Sequence, residues 1–337
     1  MNSSAFGNVV EPLVSIGVPV YNGEKGLALA LDSLLCQNYK NLEIIISDNG
    51  STDNTSDICK QYASKDSRIT YYRFEENKGS IWNFNNVVKL SSGKYFMWAA
   101  HDDVRHPRFV ETCVEKMEQS PEAVLCQTHT ALYIVGNKEI ISINDLKSFE
   151  DKKNLFLRYY ETLQHFPATA IYGLFRLAVV KKTMLFQKSI ATDLAFIQEL
   201  SIHGIFIDLP EVLFSYIIRD KWNTIDQDYK VFFGKEKKPW WYSPFIMLFY
   251  SHFKRLFCSE LTIISKIALI IILIEYEVEQ VIKKIFVKTL GYLCPRNLKD
   301  EIGKLIYFKL ICAKNTQVCC QNLYFERMIK PIIGWWR

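Results

Sequence analysis

Three phosphate or nucleophile motifs are missing from this 337-residue chain. It holds no G-x-G-x-x-G, no P-loop and no G-x-S-x-G. That argues against a dinucleotide-dependent dehydrogenase, a P-loop NTPase and a nucleophile-elbow hydrolase. Paired cysteines are missing too. The nine cysteines (36, 59, 113, 126, 258, 294, 312, 319 and 320) are odd in number and form no C-x-x-C. Neither a zinc site nor a disulfide framework is expected, and reduced thiols in a cytoplasmic compartment fit best. Met1–Phe6 carries no basic stretch leading into an apolar core, so no signal peptide is expected. A membrane span needs about 20 apolar residues. The run Ile263–Ile274 is shorter, contains Lys266 and lies between Glu260 and Glu275. Attachment at the interface is therefore expected rather than crossing, with a core helix hairpin packed on the preceding domain as the alternative. Internal repeats and low-complexity segments are also absent.

What is present is globular in balance, 49% hydrophobic and 23% charged. The net charge of +5 is unevenly spread. Residues 1–234 carry 24 basic and 28 acidic side chains, and residues 235–337 carry 17 and 8. The last third is also rich in aromatics, from Trp240 and Trp241 to Phe253. A basic, aromatic, apolar region suits an anionic membrane surface. Nucleic acid is the other use of a basic region, but no groove-reading motif accompanies it, so no such partner is expected.

Before that region, short β-branched runs alternate with helical patterns. Leu13–Val20, Leu42–Ser47, Arg68–Phe74 and Lys94–Ala100 read as strands, and Gly26–Leu35 and Ile81–Leu90 as two of the helices between them. This alternation predicts an α/β domain with a mostly parallel central sheet flanked by helices. Such sheets bind ligands at the carboxyl ends of their strands. Polar clusters fall there: Tyr21-Asn22, Asp48-Asn49 and His101-Asp102-Asp103. Further on, a helix over Phe109–Gln119, a strand over Ala123–Tyr133, an amphipathic helix over Thr192–His203 and two short strands, Ile205–Leu209 and Val212–Ile218, are expected. Residues 137–165 resist assignment.

Asp102 and Asp103 follow an apolar strand, where adjacent carboxylates are costly to bury alone. Mn2+ or Mg2+, which binds through one or two carboxylates plus substrate phosphates, would relieve that cost. Capping of the helix near Pro107 is the alternative use of the same pair. Asp48 closes the second strand and can accept a hydrogen bond from a base or ribose, or serve the turn itself. Asp193 stands in the first turn of a helix, which favours its ionised form. It can act as a general base on a hydroxyl, or simply complement the helix dipole. Histidines 106, 129, 165, 203 and 252 show no metal spacing and read as structural.

Taken in order, VSIGVPVYNGEKGLALALDSLLCQNYKNLEIIISDNGSTDNT, NKGSIWNFN and KYFMWAAHDD closely resemble the family 2 glycosyltransferases of GT-A fold. The resemblance covers roughly residues 13–220. It implies nucleotide-sugar contacts at Pro19, Tyr21, Asn22, Glu24, Asp48, Asn77 and Asp102, metal at Asp102 with Asp103, and Asp193 as the base of an inverting displacement. The implied partners are a nucleoside-diphosphate sugar, UDP- or dTDP-linked, and a lipid-linked or polysaccharide acceptor. The implied division is a tail over 1–12, a catalytic domain over 13–234 split at 103 into nucleotide-sugar and acceptor halves, and a helical membrane-proximal region over 235–337. The implied location is the cytoplasmic face of the membrane. Three positions depart from the family pattern. Ala100 stands where D-x-D has its first aspartate, Phe84-Asn85 replaces Arg-Asn, and Arg219 replaces a histidine. A non-catalytic scaffold on the same fold is the alternative, which Ala100 would suit. A nucleotidyltransferase would carry a glycine- and arginine-rich loop where this chain has Tyr21–Gly26.

Overall fold

A computed structural model describes residues 11–134, 140–144, 153–165, 168–189, 191–218 and 243–293, together with Tyr229 and Pro239. Arg219, Trp240, Trp241 and residues 294–337 lie outside the described residues.

The first half is built as its pattern dictates. Strands β1 (Val14–Val20), β2 (Leu42–Asp48), β3 (Ile69–Arg73) and β4 (Tyr95–Trp98) alternate with helices α1 (Leu27–Leu35), α2 (Thr55–Lys65) and α3 (Ser80–Leu90). All seven residues of β1 are buried, as expected of a central parallel strand covered on both faces. β1 pairs in parallel with β2 on one side and with β4 on the other. The β4 ladder stops at Gly17, so Pro19 lies past it and its missing N–H costs no bond on that side.

After β4 the chain changes style. Strand β5 (Val104–Arg105) and helix α4 (Phe109–Gln119) lead into the long β6 (Ala123–Ile134) and then β7 (Ile140–Asn144). Helix α5 (Leu155–His165), a 3-10 turn (Ala168–Tyr172), β8 (Leu174–Arg176) and a short helix α6 (Leu177–Val180) follow. Helix α7 (Thr192–Leu200) and β9 (Ile205–Ile218) complete the sheet. Among the described residues nine strands form one sheet, ordered β3-β2-β1-β4-β8-β6-β9-β5, with β7 added on β6.

The expectation of a mostly parallel sheet holds for the first half and for the long β6–β9 ladder, but not for the other pairs of the second half. β8 runs antiparallel to β4 and β6, β5 antiparallel to β9, and β7 antiparallel to β6. The sheet is therefore mixed, because the second half joins its strands by returns as well as helical crossovers. The two short strands expected over residues 205–218 are one strand. Its register against β6 jumps from Leu209–Thr128 to Val212–His129, and this irregularity absorbs Pro210-Glu211.

Two more helices form a C-terminal hairpin, α8 (Pro244–Cys258) and α9 (Ile263–Leu293). The Ile263–Ile274 run is thus the first part of one 31-residue helix. The hairpin docks on the second half of the sheet domain: α8 meets α7, and α9 meets α5. Leu256, Leu269 and Leu273 are buried there around Tyr159. Because α8 covers it, α7 is buried from Ala195 to Leu200 and is not the one-sided amphipathic helix that its sequence suggests. No described helix is long and apolar enough to cross a membrane.

Candidate active site

Two loops meet at the carboxyl ends of β1 and β2. Asn22 adopts a left-handed φ of 52°, and its backbone N–H donates to Ser51 Oγ at 2.9 Å. Its side-chain Oδ1 accepts from Thr52 N at 2.9 Å. Glu24 N donates to Asp53 Oδ2 and Glu24 Oε2 accepts from Asn54 N, each at 3.2 Å. Reciprocal bonds therefore zip the β1–α1 loop to the β2–α2 loop. Asn77 joins them through Asn49, whose Nδ2 donates to Asn77 Oδ1 at 2.8 Å. Tyr21, between Pro19 and these bonds, is 43% exposed and presents its ring at the mouth of the loops.

Asp48 lies at the end of β2 and is fully buried. Oδ1 accepts from Ser51 N at 2.9 Å, and Oδ2 accepts from the Tyr71 hydroxyl at 2.8 Å. Arg73 Nε approaches Oδ2 to 3.8 Å while its own side chain stays half exposed. Burial raises the Tyr71 pKa and the bond to Asp48 raises it further, so the phenol stays a donor.

The His101-Asp102-Asp103 turn packs directly on the β1–α1 loop. A Cβ added at Gly26 would lie 2.7 Å from Asp102 Cβ, and one at Gly23 would lie 2.8 Å from His101 Cδ2. Only glycine allows this approach. Ala100, His101 and Asp102 are half-buried, whereas Asp103 is 1% exposed. Asp103 Oδ1 accepts from Ile217 N at 2.9 Å, which ties the turn to β9. Beneath it, the buried Arg105 donates to the carbonyls of Trp98 (2.7 Å) and Tyr172 (3.2 Å) and lies over the Phe109 and Phe214 rings. Burial holds its pKa down to about 10, and the Asp103 charge opposes that fall.

No group of three or more His, Cys, Asp or Glu side chains among the described residues could hold a metal. Mn2+ or Mg2+ does not need one, since substrate phosphates supply the other oxygens. The half-buried Asp102 carboxylate, on a turn open to the loops, fits that coordination.

Tyr172 follows, its carbonyl already bonded by Arg105. Burial is the first cause lifting its pKa well above the ordinary value. Tyr216 is the next, followed by the charges of Asp103, Asp102 and Asp193. One phenol thus lies within electrostatic reach of all three aspartates. It stays protonated, beside the Phe214 and Tyr216 rings at 5.6 and 6.2 Å. Asp193 is half-buried in the first turn of α7. Asn85, beside the departure at Phe84, grips the segment before α7. Its Nδ2 donates to Phe186 O at 2.9 Å and its Oδ1 accepts from Phe186 N at 3.0 Å. Tyr71, Arg73, Tyr172 and the role of Asn85 escape sequence reasoning. Aromatics and a polar side chain in ordinary strand and helix positions give no chemical signal.

The family model described as "Glycosyl transferase family 2" matches residues 15–179. Over that stretch, just under half of the chain, the sequence is similar to that family. An uncharacterized glycosyltransferase of Rickettsia prowazekii is 40% identical to this chain over 122 residues, which is 35% of this chain and 37% of the relative. The glycosyltransferase GlyA of Streptococcus pneumoniae serotype 4 is 38% identical over 109 residues, 32% of this chain and 16% of GlyA. These alignments span well under half the length of either relative. In fold, the chain is similar to S. aureus TarS 1–349, solved in complex with UDP. The TM-score is 0.54 at 17% identity, over 76% of this chain and 69% of that one. The mannosyltransferase PcManGT of Pyrobaculum calidifontis, solved with GDP-Man and Mn2+, gives 0.51 at 13% identity, over 90% and 81%. The α/β sheet is thus similar to those of GT-A glycosyltransferases.

Proposed function

We propose that the protein transfers a sugar from a nucleoside-diphosphate sugar to an acceptor hydroxyl with inversion. The observation that carries this is the meeting of the zipped β1 and β2 loops with the Asp102 turn. The base and ribose lie against Pro19, Tyr21 and Asp48, in loops held by Asn22, Glu24 and Asn77. Arg73 joins Asp48 there. Asp102 holds Mn2+ or Mg2+, with Asp103 supporting the turn from behind. The metal, when bound, neutralises charge on the departing diphosphate. Asp193 takes the acceptor proton as the acceptor oxygen bonds to the anomeric carbon. The bond from that carbon to the diphosphate oxygen breaks on the opposite face, and the nucleoside diphosphate leaves. UDP and GDP-Man in the solved neighbours support this class of donor. Residues 13–234 form the catalytic unit, with donor contacts in 13–103.

The acceptor is lipid-linked or a polysaccharide, reached from the cytoplasmic face of a membrane. Support comes from the outer side of α9, where Ile263, Ile267, Ile271, Ile274, Val278 and Val281 are each 47–67% exposed. They recur every three or four residues and form one stripe. The occupant that fits the stripe is an anionic lipid surface, given the basic excess of residues 235–337.

The test is a screen of purified protein against nucleotide-sugars, with release of nucleoside diphosphate followed with and without Mn2+. Sugar turnover that requires the metal supports the proposal. Binding of UDP with no turnover on any donor and acceptor would favour the non-catalytic scaffold.

A further inference from the structure

Arg255 joins the C-terminal hairpin to the last turn of α7 and to the segment that precedes the helix. It lies on α8 and is 2% exposed. Its Nη1 pairs with Glu199 of α7, and its Nη2 donates to Leu185 O at 2.6 Å. Glu199 also accepts from Met184 N, at 3.0 and 3.2 Å on its two oxygens. The ion pair thus grips residues 184–185 from one side. Asn85 grips Phe186 from the other, and the Phe186 ring stacks between Phe84 and Trp98 at 5.5 and 5.2 Å. Gln187 N then donates to Thr192 Oγ1 at 2.9 Å, beside Asp193.

The gripped segment is not relaxed. Leu185 and Ala191 hold left-handed φ values of 54° and 56°. Such conformations persist at non-glycine residues only where the surroundings over-determine them. A fully buried ion pair is also a poor choice for stability alone, because apolar residues of similar volume often serve as well or better. Its geometric merit is that a guanidinium fork reaches a carboxylate and a carbonyl together.

We propose that Arg255 is a positioning residue for the acceptor side of the site. Acting through Glu199 and Leu185, it fixes the start of α7 and with it the place of Asp193. This rests on Asp193 being the base. It also makes the hairpin part of the active machinery, since the helix pair carrying the exposed stripe holds the catalytic helix in register.

The test compares the double variant Arg255→Met with Glu199→Gln, the single variant Arg255→Lys, and Asp193→Asn. The double variant removes both buried charges and keeps an acceptor for Met184 N. Its melting temperature and its Mn2+-supported nucleoside diphosphate affinity should stay near wild type, while kcat for transfer falls at least tenfold. Arg255→Lys keeps the ion pair but loses the fork, so its kcat should fall between the two. Wild-type kcat in the double variant, with Asp193→Asn inactive, overturns the positioning role and leaves the base assignment standing. Full turnover in Asp193→Asn removes the base assignment and this proposal with it. Equal losses of diphosphate affinity and kcat also overturn it, because they mark general damage. Should the double variant fail to fold, Arg255→Lys carries the same comparison.

Discussion

Gly26→Ala should disable the donor site without unfolding the protein. Gly26 has φ −126° and ψ −23°, so a methyl brings no left-handed strain. It does bring a collision. The new Cβ would lie 2.7 Å from Asp102 Cβ, 3.0 Å from Asp102 Cα and 3.1 Å from His101 O. Carbon atoms at contact are about 3.5–4.0 Å apart, so the turn must retreat by about 1 Å. Two of the three obstructing atoms are backbone, so rotation of a side chain cannot relieve the clash. A misplacement of about 1 Å can cost about 100-fold in rate, or about 2.7 kcal/mol. The assays are calorimetric titration of nucleoside diphosphate in Mn2+ and transfer kinetics, with a melting curve as control. Gly23→Ala is the comparison. Its Cβ meets the side chains of Val20 and His101, which can yield, so a smaller loss is expected. A folded Gly26→Ala protein with wild-type diphosphate affinity and turnover would refute the close coupling of loop and turn.

Other consequences follow from the same structure. Tyr172→Phe should leave nucleoside diphosphate affinity unchanged and lower kcat several-fold, because it removes a buried hydroxyl that feels the charges of Asp103, Asp102 and Asp193 and leaves the ring contacts in place; equal kcat in both proteins would remove Tyr172 from the site. Burial first, and the Arg255 charge second, hold the His252 pKa down to about 3, so its neutral form is the folded one. The unfolded chain takes up that proton near pH 6.5, so this contribution is whole above that value and is lost as pH falls towards 3, about 2 kcal/mol by pH 5. His252→Gln should flatten the acid side of a stability–pH curve, and an unchanged slope would contradict the assignment. Replacing Ile267, Ile271 and Ile274 together by Ser should weaken sedimentation with anionic vesicles and leave melting near wild type, since all three are about half exposed or more; undiminished sedimentation would exclude the α9 stripe as the membrane face.

Much of the first half was legible because its structure is local. α4 has the expected bounds of Phe109–Gln119, and α1 begins one residue after the expected start. β1 and β2 announce themselves as β-branched runs, and the polar cluster from Asp48 to Ser51 marks where β2 ends. What escaped depends on distant partners. Asn85 grips Phe186, 101 residues away, and Asp103 accepts from Ile217, 114 residues away. No spacing within either motif encodes those bonds. The burial of α7 could not be foreseen, because the helix that covers it begins at Pro244. Its Gln198 and Glu199 look like a solvent face. They are instead bonded to Tyr159 O and to Met184 N and Arg255. The mixed sheet was missed for a related reason: β5 and β8 have two and three residues, too short to show a period.

The most direct test of the catalytic assignment is a paired measurement on Asp102→Ala and Asp193→Ala with a donor identified by screening. Transfer rate and Mn2+-dependent nucleoside diphosphate affinity are read on the same preparations. Both variants should lose transfer, and only Asp102→Ala should lose affinity. Wild-type turnover in both would contradict the assignment of these two aspartates.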